Sequence, residues 1–431
     1  MTPRPDARPR FVVVGIGADG WRGLGDTARD ELRNARVIYG AARQLALLDE
    51  VAAELAGELV CWRSPMSEHL AEVLASVPDP AGVTDTVHIL ASGDPMFHGV
   101  GASIVARVGA DRVRVYPAVS SVSLACARLG WDLSTTRIVS AVTADPEIVL
   151  TEATDGARVL VLSRDRTTPA AVATILSDNG FGDSTLTVLE QLGGPAERVY
   201  SGTAGTWPHS DGDPLNIVAV DCIGPRVSRA PGRPDDSYEH DGQITKSTIR
   251  ALTVSALEPA GPQLLWDIGA GSGSVSIEWL RTDGRGRAVA FERDPVRAER
   301  LSANARRHGV AHRLDVRGPA PESLAGALAD AGAPDAVFIG GGLDDGLLTT
   351  AWDALRAGGR IVVNAVTVEN QAILIRRREE LGGSLRRFVV EALSPLGTMS
   401  TWRPALPIIQ WAATKPTGTP PRTPTPEEDV S

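Results

Sequence analysis

Short apolar runs recur along this chain, parted by glycine turns and by stretches with helical spacing. The first is Phe11 to Ile16, apolar and β-branched, as a strand buried on both faces would be. A turn follows at Gly15 to Gly20, then a helical stretch from Thr27 to Ala35. Thr86–Leu90, Val113–Tyr116, Arg158–Leu162 and Thr185–Leu189 predict further strands. Alternation of this kind up to about Val220 implies an α/β fold with parallel strands.

The pattern breaks between Gly224 and Gly242, where prolines and mixed charges predict an inter-domain linker. A second α/β series begins after it. A helix is predicted from Thr245 to Leu257 and strands at Leu264–Asp267, Ala288–Phe291, Ala336–Ile339 and Arg360–Asn364. Helices are predicted at Val275–Leu280 and Pro295–His308. The expected layout is a tail over 1–10, a domain over 11–224, a linker over 225–238, a domain over 239–414 and a disordered tail over 415–431. The last segment is rich in Pro, Thr and Glu.

Composition narrows the functional classes. With 431 residues, two or three domains are expected. A net charge of -10 argues against general nucleic-acid binding. Cys61, Cys126 and Cys222 form no C-x-x-C pair, and the seven histidines lack metal spacing, so neither zinc nor another metal is expected. No apolar stretch is long enough to span a bilayer, which places the protein in the cytoplasm with no membrane partner.

The candidate chemistry centres on Asp267-Ile268-Gly269-Ala270-Gly271-Ser272-Gly273, between a predicted strand and a predicted helix. Glycines let a ligand approach the backbone, and the helix N-terminus offers unpaired N–H groups. Ser274 stands where a dinucleotide fingerprint carries its third glycine. Glu292, at the end of the next strand, is placed to accept hydrogen bonds from ribose hydroxyls. Asp267 would repel a pyrophosphate but suits a ligand ammonium, which favours S-adenosylmethionine; NAD and a purely structural turn stay open on these residues alone. Gly340-Gly341-Gly342 would leave room for substrate or form a flexible loop, and Asn364, which ends the strand Ile361–Val363, is a weaker candidate, equally a hydrogen-bonded turn residue. In the first half, the loops Gly15–Gly20, Ser92–Phe97 and Pro117–Ser121 each follow a predicted strand and would meet at one sheet edge.

These phrases carry a resemblance. Val14-Gly-Ile-Gly-Ala-Asp-Gly20, Leu90-Ala-Ser-Gly-Asp-Pro-Met-Phe97 and Val119-Ser-Ser-Val-Ser-Leu-Ala-Cys-Ala-Arg-Leu-Gly-Trp131 resemble the tetrapyrrole methylase (class III methyltransferase) fold, in its precorrin C5-methylating branch. Glu239-His-Asp-Gly-Gln-Ile-Thr-Lys246, Trp266-Asp-Ile-Gly-Ala-Gly-Ser-Gly273 and Val337-Phe-Ile-Gly-Gly-Gly342 are similar to the Rossmann-like class I enzymes that methylate C15 and decarboxylate. The two halves in this order resemble the fused precorrin-6Y C5,15-methyltransferases of cobalamin synthesis, over about nine tenths of the chain.

The resemblance implies one S-adenosylmethionine site per domain, a small tetrapyrrole substrate and a homo-oligomer. Donor contacts would fall on Gly93, Asp94, Ser120 and Ser121 in the first domain. In the second they would fall on Thr245, Gly269, Ala270, Gly271, Ser272, Gly273, Glu292 and Ala320. Gly15, Gly17 and Gly20 would face the tetrapyrrole, as would Gly340 and Gly341; the substrate's acetates and propionates call for cations near the clefts, for which Arg22, Lys246 and Arg250 are the candidates, each equally readable as a solvated surface charge. No Ser/His/Asp or Cys/His constellation occurs, and none is needed for transfer from an activated sulfonium to a nucleophilic carbon. The sequence departs from the family at Ser140–Pro146, which lacks the expected His and Arg, and at Pro319, where an Arg is expected.

Overall fold

The computed structural model describes residues 9–76, 86–210 and 212–418. The chain divides into two compact units, Met1–Arg226 and Val227–Ser431.

In the first unit, all six residues of β1 (Phe11–Ile16) are buried, as a central strand covered on both faces requires. It pairs in parallel with β4 (Val87–Ser92) and β5 (Val113–Tyr116). With β2 (Val37–Gly40) and β3 (Glu58–Cys61) they form one sheet of order β3-β2-β4-β1-β5.

The second sheet of this unit corrects the sequence-based expectation of parallel strands. It contains β6 (Arg137–Ser140), β7 (Arg158–Leu162), β8 (Thr185–Glu190), β9 (Arg198–Thr203) and β10 (Asn216–Asp221), in the order β6-β7-β10-β8-β9. Only β6 and β7 run parallel; β10 is antiparallel to both its neighbours, and β8 to β9. An apolar run encodes burial, not direction. The turn between β8 and β9 is too short for the crossover that a parallel pair needs, so the hairpin was the sterically available answer.

The second unit is built on a seven-stranded sheet of order β13-β12-β11-β14-β15-β19-β16. β11 (Leu264–Ile268), β12 (Arg287–Phe291), β13 (Leu314–Arg317), β14 (Ala336–Ile339) and β15 (Arg360–Ala365) are parallel. β19 (Ile408–Thr414) is inserted antiparallel between β15 and the edge strand β16 (Ser384–Phe388). Alternate residues feed opposite faces: Trp266 and Ile268 pack in one core with Trp411, and Leu265 in the other with Trp279. Chain order reverses between β11 and β14, the switch point at which open α/β sheets bind ligands. β17 (Glu391–Leu396) and β18 (Met399–Pro404) form a separate hairpin.

Two boundary expectations change. The stretch 225–238 is not all spacer, because Gly232 and Arg233 donate backbone N–H groups to the buried Glu278 carboxylate, and Tyr238 donates its hydroxyl to it. Polar residues there satisfy a buried charge that only tertiary contact reveals. Lys415, placed in the tail, donates through Nζ to the carbonyls of Trp352, Asp353 and Leu355 at the end of a helix. The remaining tail expectations over 1–8 and 419–431 lie outside the described residues. No helix among the described residues is long and apolar enough to cross a membrane.

Candidate active sites

The second unit holds a cavity of about 610 Å³ at the carboxyl ends of its parallel strands. The loop after β11 forms one wall. Gly269 and Gly271 have φ of +71° and +57°, which glycine adopts without the steric cost of a Cβ. Gly269 also allows a close approach. A Cβ there would stand 2.7 Å from the backbone N and O of Gly341, so the two glycine loops touch only because it is bare. At Gly271 the nearest foreign atom to such a Cβ is the carbonyl oxygen of Gln243, at 3.9 Å. The Asn304 side chain, wholly buried, donates to the carbonyl of Ser272 at 2.9 Å and ties the loop to the helix Pro295–Arg307.

Glu292 directly follows β12 and is 7% exposed. One carboxylate oxygen accepts the N–H of Gly271 at 2.8 Å and the other accepts that of Asp294 at 2.9 Å. Its orientation is therefore fixed by backbone, with acceptor capacity left for the cavity it lines. Asp267 is different. It is fully buried and accepts both the N–H and the hydroxyl of Ser276 on one oxygen, while the other has no partner among the described residues. Burial pushes its carboxyl up to about 6, against the pull of the Ser276 hydrogen bonds and with a smaller upward push from Glu292.

Of the residues expected here, Thr245, Lys246, Gly269, Ala270, Gly271, Ser272, Glu292, Ala320, Gly340 and Gly341 line the cavity. Two do not. Gly273 caps the next helix with φ +74°, and a Cβ there would strike Leu301 at 2.6 Å, so this glycine serves packing. Arg250 is 0% exposed and cannot meet a substrate carboxylate. It is locked to Glu278 at 2.5 Å and to Asp235 at 3.2 Å, and it also donates to the carbonyls of Thr245 and Arg233. The sequence put it about one turn from Lys246 on a helix but could not show which face it takes. Sequence reasoning missed Gln243, Arg293, Arg297, Phe338, Val366 and Ile408. Ile408 opens β19, whose antiparallel insertion no local motif announces.

The first unit has a smaller cavity, about 200 Å³, bounded by both of its sheets. Gly17, Gly93, Asp94, Ser120 and Ser121 line it, with Leu162, Leu189 and Ile217 from the second sheet. Asp94 accepts the N–H of Met96 at 2.9 Å, and Ser120 caps the helix Ser121–Leu129 through Ser123 N–H at 3.2 Å. The three loops do meet. A Cβ on Gly15 would lie 2.3 Å from the Gly93 carbonyl oxygen and 2.8 Å from the Ala118 nitrogen.

Gly15 thus makes the junction and does not line the cavity. Gly20, in a turn at φ +62°, and Arg22, exposed and paired with Glu50 at 3.4 Å, also lie outside the lining. Arg43 was missed. It lines the cavity and donates to Ser92 Oγ at 2.6 Å, and burial pulls its pKa down. In the divergent loop, Val142 lines the cavity while Arg164 holds the Val142 and Ala144 carbonyls.

Comparison with known proteins agrees with this division. Residues 10–208 match the family described as Tetrapyrrole (Corrin/Porphyrin) Methylases, and residues 236–415 match a Precorrin methyltransferase domain. A precorrin-6Y C(5,15)-methyltransferase (decarboxylating) of Mycobacterium tuberculosis is 48% identical over 94% of this chain and all of its own length. The chain belongs to that family. A Sinorhizobium member is 43% identical over 94% of this chain and 97% of its own. The crystal structure of the C-terminal domain of precorrin-6Y C5,15-methyltransferase from Rhodobacter capsulatus is 44% identical, covering 44% of this chain and 100% of its own, with a TM-score of 0.41.

Proposed function

We propose that this chain methylates precorrin-6Y at C5 and at C15 with S-adenosylmethionine and removes the C12 acetate carboxyl as carbon dioxide, a step of cobalamin synthesis. The first unit carries the C5 reaction and the second the C15 reaction with decarboxylation. The observation that supports this most is the fusion itself. Two methyltransferase folds of different families, each with its own cavity at the end of a parallel sheet, stand in one chain.

The residues fit the donor. In the second unit Glu292, held by two N–H groups, is placed for ribose hydroxyls, and Gly271 opens the wall for close approach. A volume of about 610 Å³ leaves room for part of a second ligand beside the donor. In the first unit the Gly93, Asp94, Ser120 and Ser121 wall is the donor side. The donor supplies a methyl group already activated on a sulfonium. The chain supplies orientation, which can contribute on the order of 7–11 kcal/mol to such a transfer. Lys246, at 3.5 Å from Asp235, offers a cation at the second cavity for a tetrapyrrole carboxylate.

The same reading makes the protein a cytoplasmic homo-oligomer. Cys61, Cys126 and Cys222 carry no disulfide, which suits a reducing compartment. Leu393, Leu396, Met399 and Trp402 on the β17–β18 hairpin are each more than half exposed, and a second copy would cover them.

Calorimetry of the full chain tests the donor assignment. S-adenosylhomocysteine should bind at two sites per chain. Binding of NADH with none of S-adenosylhomocysteine would overturn it.

A further inference from the structure

A closed set of hydrogen bonds stands behind one wall of the larger cavity. Asn364 near the end of β15 lies directly opposite Gln410 of β19 in the antiparallel register. Thr253, on the helix Ser247–Leu257, packs over both. Thr253 and Gln410 are 0% and 2% exposed. The Thr253 hydroxyl donates its single proton to the Ile249 carbonyl at 2.8 Å, so it can only accept from the two amides. It does so from Asn364 Nδ2 at 2.9 Å and Gln410 Nε2 at 3.3 Å. Gln410 Nε2 also donates to Asn364 Oδ1 at 3.0 Å. The backbone carbonyl of Ile249 thus fixes which end of the Asn364 amide is nitrogen. Among the described residues one Asn364 N–H has no protein partner, on a side chain that lines the cavity.

Its place decides what it meets. In strand order Glu292, after β12, lies on one side of the switch point, and Asn364 on β15 and Ile408 on β19 lie on the other; all three line the cavity. Leu347, Val366 and Ile408, which line the cavity with Asn364, are apolar. A neutral N–H suits a carboxylate that must be lost. It fixes the group in one orientation without the full ion pairing by which Arg or Lys would stabilise the ground state and raise the barrier.

We infer that Asn364 contacts the substrate and holds the acetate carboxylate that leaves as carbon dioxide, with Thr253 and Gln410 as positioning residues. This rests on the function proposed above. In the step the bond from the acetate methylene to the carboxylate carbon breaks. Its electron pair passes into the conjugated ring system, a proton from water completes the methyl group, and carbon dioxide leaves.

The test is mass spectrometry of precorrin-6Y incubated with S-adenosylmethionine and the full-length protein, with calorimetry of S-adenosylhomocysteine on each variant. Wild type should give doubly methylated, decarboxylated product; if it does not, the proposed function itself fails. Asn364→Ala, Asn364→Ser and Asn364→Asp should each keep donor affinity within about twofold and slow carbon dioxide loss by about tenfold or more, Asn364→Asp most through charge repulsion. Thr253→Val should shift the decarboxylation kcat in the same direction, and Thr253→Ser should restore it. Unchanged decarboxylation in the Asn364 variants, with active wild type, would overturn the inference alone. So would donor binding lost by all three.

Discussion

The carboxylate of Glu292 accepts the backbone N–H of Gly271 at 2.8 Å, across the gap between two neighbouring strands of the second unit's sheet. The residue expected to hold the ribose therefore also holds the glycine loop in shape. Glu292→Ala should weaken S-adenosylhomocysteine binding at the second site by about tenfold or more, since hydrogen bonds to a charged group contribute about 1.5–3 kcal/mol. C15 methylation and carbon dioxide loss should fall with it, and C5 methylation should persist. Calorimetry and product mass check both arms. Loss of both methylations in a folded variant would contradict independent sites.

The glycines separate by what a methyl group would meet. Gly15→Ala should close or distort the first cavity, because its Cβ would overlap the Gly93 carbonyl, and C5 methylation should be lost with the second unit still active. Gly269→Ala should do the reverse. Gly271→Ala has space and meets only the strain of a positive φ, about 1–2 kcal/mol, so it should fold and lose less donor affinity than Gly269→Ala. Paired assays of the two methylations separate these outcomes.

Glu278 neutralises Arg250 in the interior of the second unit, and both are almost wholly buried. Glu278→Ala should cost about 3–5 kcal/mol by leaving the buried guanidinium with only the less buried Asp235 as counter-charge. Because the same carboxylate accepts the N–H groups of Gly232 and Arg233 and the Tyr238 hydroxyl, the 232–238 strap should lose its anchor. Limited proteolysis within that strap, together with denaturant titration, reads both effects. An unchanged unfolding midpoint would contradict the network.

Asp267 gives a pH signature of defined sign. Its folded carboxyl is raised to about 6 from 3.8 by burial, so the native state holds the proton more tightly than the unfolded chain. Stability from this group is fully present below about pH 4, declines as pH rises towards 6 and is then level. Asp267→Asn removes the titration. The stability of wild type relative to Asp267→Asn should fall by on the order of 3 kcal/mol across that window, as measured by urea unfolding at stepped pH. A difference independent of pH would refute it.

Much of this was legible in the sequence, for physical reasons. Strands buried on both faces, such as β1 and β14, write unbroken apolar runs, and loops that must pass close to other backbone write glycines. Those signals are local, and they placed the walls of both cavities. What was missed depends on partners distant in the chain. The antiparallel direction of β10, the side of its helix that Arg250 takes and the pairing of Asn364 with Gln410 are all set by tertiary contact. The Gly-Ala-Gly-Ser-Gly motif itself merged two roles. Gly269 and Gly271 shape the cavity, while Gly273 makes room for Leu301.

The most direct test of two methyltransferase sites in one chain is the mass of the tetrapyrrole after precorrin-6Y is incubated with the protein and S-adenosylmethionine. The account predicts two methyl groups gained and one carbon dioxide lost. A product with unchanged mass, or one methylated only once with its carboxyl retained, would contradict it.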